Sequence, residues 1–184
     1  MAIYNTGSDS ANTGIRSFLT KVGEYYLGRS FNTGNGQGKR DWIKIRDELF
    51  EGKCAYCGKS GVALQMEHLI MFNRTEFGLH HPGNIVPCCK ECNTRGKRDD
   101  GSHMNWDEHL YSICLKKQEI SRYNERKLKI SRHMREGEYK YPELSEEEQH
   151  AIRVIANSLY GHIKLEIDKS LNLYQELHES FVKK

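Results

Sequence analysis

The chain has 184 residues, 37% hydrophobic and 29% charged, with a formal net charge of +3. That length suits one domain, or a small catalytic module with helical additions, and so polar a composition suits a modest core with long solvated helices. No apolar run approaches the ~20 residues of a membrane span, and the opening MAIYNTGSDSANTG has neither the basic nor the apolar region of a signal peptide, so the expectation is a cytoplasmic protein.

Residues 1–14, rich in Ser, Asn, Thr and Gly, read as a mobile tail. Ile15, Phe18, Leu19, Val22 and Tyr26 repeat at helical spacing and predict a helix over 15–27. The stretch 32–38 (NTGNGQG) reads as a loop. It has the glycine content of a phosphate-cradling loop, but no strand precedes it and no Gly-Lys-Ser/Thr follows. A second helix is expected over about 40–50, with Trp42, Ile45 and Leu49 on one face and Glu51-Gly52 ending it.

Residues 53–98 lack helical periodicity until their end. There 62–64 and 66–70 read as short strands, Ile85-Val86 leads into a cysteine pair, and a short helix should start near Lys90. After Trp106 the pattern is helical to the end, broken around 136–142. The last helix opens on Ser145-Glu146-Glu147-Glu148, a capping box whose acidic residues suit a helix N-terminus. Its stripe of Ile152, Ile155, Leu159, Ile163, Ile167, Leu171, Tyr174 and Leu177 fits an internal core or a second subunit. A homodimer is therefore one of two expectations.

Charge is unevenly spread. Residues 116–135 hold eight Lys/Arg against Glu119 and Glu125, a local +6, whereas 141–184 hold five basic and eight acidic residues, a local −3. The basic stretch is either a face that meets an anionic polymer or a solvated helix face.

Six cysteines in a chain expected in the cytosol point to metal before disulfides. Four form two C-x-x-C pairs, Cys54/Cys57 and Cys89/Cys92, the ligand spacing of a closed tetrahedral zinc site. Cys88 could in principle stand in for Cys89, but Cys89 and Cys92 repeat the spacing of Cys54 and Cys57. Cys114 lies in an apolar helical context and reads as a buried small residue.

Between the pairs lie Glu67-His68 and Gly83-Asn84-Ile85-Val86-Pro87; Cys92-Asn93 and Lys97 follow. This order resembles the HNH endonuclease motif in its zinc-bearing, H-N-N form, over residues 54–97. The resemblance implies an α+β fold: a small ββα-metal nuclease core with a four-cysteine zinc site at 53–100, preceded by a tail and helices at 1–52 and followed by a helical region at 101–184. It implies a restriction, phage or mobile-element endonuclease acting on double-stranded DNA. His68 would be the general base, Asn84 would pin the loop and orient His68, and Glu67 and Asn93 would hold one catalytic Mg2+ or similar divalent ion.

The residue types suit that chemistry. A neutral imidazole takes a proton from water near physiological pH. A hard divalent ion held by few protein oxygens neutralises charge on the leaving side. Glu67 stands where many relatives carry Asp, and its extra methylene asks for a different rotamer. His80 and His81 read as loop residues within reach of phosphate. Arg95, Lys97 and Arg98 at the far end of the expected short helix, with Arg122, Arg126 and Lys129 in the basic run, are the candidate DNA contacts. Two alternatives stay open. A non-catalytic zinc module would need only the cysteines and the basic helix, and an RNA-cutting nuclease would use the same site on another substrate.

Overall fold

A computed structural model describes residues 6–182. Its elements are α1 (Gly7–Leu27), α2 (Gly36–Ile43) running on into a π-helical turn (Lys44–Leu49), β1 (Leu64–His68), β2 (Ile85–Cys89), α3 (Trp106–Lys116), α4 (Tyr123–Arg135) and α5 (Glu146–Phe181). Short 3-10 turns at Pro82–Asn84 and Ile120–Arg122 lead into β2 and α4. The fold is mixed: five α-helices around one two-stranded antiparallel sheet among the described residues. None of these helices is long and apolar enough to cross a membrane.

α1 begins within the stretch expected to be a tail; residues 1–5 of that stretch lie outside the described residues. Thr6 caps the helix by accepting from the Asp9 N–H, and Asp9 sits in the first turn where the helix dipole favours it. Packing then outweighs the weak helix propensity of these small residues. Ala11 is wholly buried, and a Cβ at Gly14 would lie 2.3 Å from Ile163 Cδ1 of α5. α1 and α5 run antiparallel, with Gly7 beside Ile167 at one end and the Tyr26 hydroxyl donating to Glu148 (2.7 Å) at the other. α2 likewise starts inside the expected loop at 32–38, because Gly38 lets the helix rest on the backbone of Asn32, 2.5 Å from where a Cβ would be.

One strand, β1, replaces the two expected at 62–64 and 66–70. It pairs with β2 in the register Leu64↔Cys89, Met66↔Pro87 and His68↔Ile85. The helix expected near Lys90 does not form. The Cys92 and Asn93 N–H groups both donate to the Cys89 carbonyl (3.0 and 3.1 Å), closing a tight turn. The chain then crosses itself where Met104 N–H donates to Gly96 O (2.9 Å). The first helix after the hairpin is α3, started by a capping box between Asn105 and Glu108.

α5 opens on the expected capping box of Ser145 and Glu148 and is 36 residues long, about 54 Å. Its stripe divides. Ile152 is buried and Leu159 and Ile163 half-buried along α1, whereas Ile155 and, from Ile167 on, Leu171, Tyr174 and Leu177 are exposed. Ile15, Leu19, Leu79, Tyr141, Ile152 and Ala156 form a smaller core around the α1–α5 pair. The larger core joins Phe31, Trp42, Ile45 and Phe50 to the four paired cysteines, Tyr56, Leu69, Ile85 and the inner faces of α3 and α4. The segment between β1 and β2 bridges the two cores, with Leu69 in one and Leu79 in the other.

Candidate functional site

Cys54, Cys57, Cys89 and Cys92 are all buried, and their sulfurs lie within 4.8 Å of one another. Tetrahedral zinc with Zn–S bonds of about 2.3 Å separates its sulfurs by about 3.8 Å; Cys57 and Cys89 are 3.7 Å apart. Four cysteines are therefore positioned to hold a metal ion such as zinc, and Cys88 is not one of them. Thiols packed this closely compete for ionisation. Hydrogen bonds from Cys57, Cys88 and Cys92 draw Cys54 far below the usual thiol range, and the bond Cys92 gives Cys54 drives Cys92 far above it. A divalent cation relieves that conflict by taking all four as thiolates.

The cluster is tied to its surroundings through backbone carbonyls. Ala55 N–H donates to Pro87 O (2.8 Å), which docks the first knuckle on the outer edge of β2. His109 of α3 accepts from Gly96 N–H through Nδ1 (3.2 Å) and donates through Nε2 to the Cys92 carbonyl (2.9 Å). Arg126 of α4 donates to the Cys57 carbonyl (3.2 Å) and the Cys114 sulfur (3.6 Å) and pairs with Glu119 (2.8 Å).

β1 carries the next residues. Neighbours on a strand face opposite ways, and so Glu67 and His68 diverge. Glu67 points toward Arg95, which binds its Oε1 and also donates to the carbonyls of His68, Leu69 and Met104. Burial pushes the Glu67 carboxyl above its ordinary value against the pull of Arg95. The Tyr56 ring, wholly buried, meets His109 edge-on (5.1 Å); among the described residues its hydroxyl has no hydrogen-bond partner. Asn93 lies on the Glu67 side of the strand, its Nδ2 donating to Gln65 Oε1 (2.8 Å).

His68, at the end of β1, faces the other way. Its ring stacks on Phe72 (4.8 Å, 16° between planes), and its Nε2 lies 3.0 Å from His80 Nδ1. Burial, with smaller contributions from His80 and Arg95, drives the imidazole down to about 3. Asn84 is wholly buried and clamps the ends of the intervening loop: Oδ1 accepts from Ile70 N–H, and Nδ2 donates to the carbonyls of Ile70 and Leu79. His133 of α4 donates from below to the carbonyls of Pro82 and Ile85.

No family model, curated protein or solved structure matches this chain. What the arrangement can do therefore rests on its own geometry. Cys54, Cys57, Cys89 and Cys92 come together; Glu67 and Asn93 share one side of the hairpin, where Glu67 engages Arg95 and Asn93 engages Gln65. His68 and Asn84 share the other side, where Asn84 reaches the loop but makes no bond to the imidazole itself.

The six candidate DNA contacts differ in setting. Arg95 is 8% exposed and turned inward, because Glu67 and three carbonyls are within its reach. Arg126 is spent on the first cysteine knuckle. Arg98 binds Glu108, Ser102 and the His103 carbonyl; Arg122 pairs with Glu125 and Lys129 with Glu51. Of the six, Lys97 alone has no salt bridge among the described residues. The sequence reading had no role for His109 or Tyr56 and gave His80 a loop place within reach of phosphate, since His80 lies 12 positions from His68 and His109 lies 13 or more from its partners, and no local spacing signals them.

Buried histidines make stability depend on pH. Burial lowers His68, His80, His81, His109 and His133, with His81 down to about 4. A base whose folded pKa lies below its unfolded one takes up more protons when unfolded. Its contribution is complete above pH ~6.5 and is lost as pH falls toward the folded values. For His68 and His81 alone, the expected loss from pH 7 to pH 5 is on the order of 4 kcal/mol, a large part of a typical domain's stability. Urea unfolding at pH 7, 6 and 5, with metal retention followed in parallel, checks this. Equal stability at pH 7 and pH 5 would refute it.

Proposed function

We propose that the protein is a metal-dependent endonuclease of the HNH type, hydrolysing phosphodiester bonds in DNA. In this reading β1 and β2 are the strands of a ββα-metal core, the turn at Cys92-Asn93 takes the place of its helix, and the cysteine cluster holds a structural zinc. The observation that carries the reading is the setting of His68: a neutral imidazole at the end of β1, followed by a loop that Asn84 clamps, on a hairpin braced by the sulfur cluster at its other end.

His68 would accept the proton of the attacking water. Asn84 would keep the loop beside it in one conformation, and Arg95 would hold Glu67 and the His68 carbonyl in place on the strand. By the resemblance Glu67 and Asn93 would hold a divalent ion such as Mg2+; since Glu67 is paired with Arg95 and turned away from His68, that site would form only if the Glu67 side chain swung toward the imidazole. When bound, such an ion supplies charge neutralisation on the leaving oxygen. Lys97 and the exposed Arg122 would meet backbone phosphates.

The Glu67–Arg95 pair favours a second reading, a zinc module that binds nucleic acid without cutting it, because the pair gives Glu67 a structural duty that needs no metal. One experiment separates the two. Supercoiled plasmid and structured RNA are incubated with the protein and Mg2+, and product ends are sequenced. Nicked or linear DNA with 5′-phosphate ends supports the nuclease. Retarded but intact plasmid supports the binding module, and cleavage of RNA alone reassigns the substrate.

A further inference from the structure

Asn84 positions the loop that follows β1, but the contact to the His68 ring is made by another residue. His80 Nδ1 lies 3.0 Å from His68 Nε2. The His80 backbone is immobilised on both sides. Leu79 donates to the Tyr141 hydroxyl (3.1 Å) and accepts from Asn84 (2.8 Å), and His81 Nδ1 accepts from Gly83 N–H (3.1 Å). From α1, Gly23 comes so close that a Cβ there would lie 2.3 Å from the His80 carbonyl oxygen. The His80 ring is itself wedged between Phe31 (4.9 Å) and Phe72 (5.5 Å). It is a fixed partner rather than a loop side chain passing by.

Two neutral imidazoles joined by one hydrogen bond share one proton, and two arrangements are open to them. If His80 Nδ1–H donates, His68 carries its own proton on Nδ1 and has no lone pair left for water. If His68 Nε2–H donates, His68 Nδ1 is a bare acceptor. The second arrangement puts the proton of both rings on Nε2, the tautomer that a histidine side chain prefers in water. It also fits the surroundings, since His68 Nδ1 makes no hydrogen bond to the described residues. Resting on the nuclease reading above, we propose that His80 is a positioning residue: it accepts from His68 Nε2–H, fixes that tautomer, and leaves His68 Nδ1 as the nitrogen that takes the proton of water.

The test uses the full-length, zinc-loaded protein and two readouts. Nitrogen-15 NMR of the histidine rings should give His68 a pyridine-type Nδ1 and a pyrrole-type Nε2. His80→Ala should mix the two tautomers and lower kcat at least ~10-fold with KM little changed, the scale on which partners of a catalytic histidine act. His80→Asn, whose amide oxygen can accept in place of Nδ1, should restore both the single tautomer and most of the rate. A pyrrole-type Nδ1 on His68 in the wild-type protein overturns the proposal. So does an equal loss of rate in the Ala and Asn variants when both melt like the wild type. Because the NMR signature needs no substrate, intact plasmid alongside the expected ring pattern rejects the nuclease reading while upholding the tautomer assignment.

Discussion

Removing the metal from the reduced protein, or replacing Cys54 with Ser, is expected to unfold residues 53–98 and the helices packed on them. The expected effect is large because little else holds that region. A two-stranded sheet of five residues a strand is marginal in water by itself. Tyr56, Leu69, Leu110 and Ile130 share one buried cluster with Ile85 of β2 and the four cysteines, so the sulfurs belong to the larger core. Metal binding by such a site contributes on the order of 10 kcal/mol of apparent folding free energy, comparable with the whole stability of a domain this size. Elemental analysis after gel filtration should find one zinc per chain, and Cys54→Ser should lose both the zinc and the cooperative melt. Cys88→Ser is the control. Cys88 is equally buried and its thiol reaches both Cys54 and the Cys89 carbonyl (3.5 Å), but it lies outside the four, and that variant should keep its zinc. Folded, reduced protein without zinc would defeat the prediction, and zinc lost from Cys88→Ser would redraw the ligand set.

How much of this was legible in the sequence depended on the range of the interaction. The cysteine knuckles are set by covalent spacing, three positions apart, and the spacing that favoured Cys89 over Cys88 agrees with the geometry of the sulfurs. Capping at Ser145 and the break before it were also readable, because a capping box closes within four residues. The start of α1 was not. Residues 7–14 carry loop-like small side chains, and they are helical because Ala11 and Gly14 allow α5 to come close, a contact about 150 positions away in the chain. The helix expected after Cys92 failed for the opposite reason. Local propensity allowed it, and the Asn93 N–H does bond the Cys89 carbonyl as a first helical turn would, but the Cys92 carbonyl is taken by His109 and the turn does not propagate. Arg95 follows the same logic. Its charge reads as a surface contact until β1 brings Glu67 and the His68 carbonyl within its reach. The basic run on α4 is also partly structural, since Arg126 caps a cysteine knuckle and Lys129 answers Glu51.

His68→Ala is expected to lower the rate of DNA cleavage by at least ~10²-fold, the usual worth of a positioned general base, while binding of DNA persists. On the nuclease reading the ring, stacked on Phe72 and bonded through one nitrogen to His80, would offer its other nitrogen to water; burial keeps it unprotonated and also makes it a weaker base than a solvated imidazole. Its removal takes away a proton acceptor together with the Phe72 stack and the His80 bond, while the clamp by Asn84 and the sulfur cluster remain. The rate is therefore compared at a temperature well below the melting point of the variant. Glu67 behaves differently. Glu67→Ala strips Arg95 of its buried carboxylate and leaves a guanidinium unpaired near the core, a change of the kind that costs 3–5 kcal/mol, and loss of rate there would be inseparable from loss of fold. The cleaner probe on that side of the hairpin is chelation. On the nuclease reading, EDTA should stop cleavage by removing the divalent ion that Glu67 and Asn93 would hold, yet leave zinc bound by the four cysteines, and added Mg2+ should restore activity. Cleavage by His68→Ala at the wild-type rate, with a folded protein and zinc in place, would remove this imidazole from the chemistry and with it the main support for a nuclease.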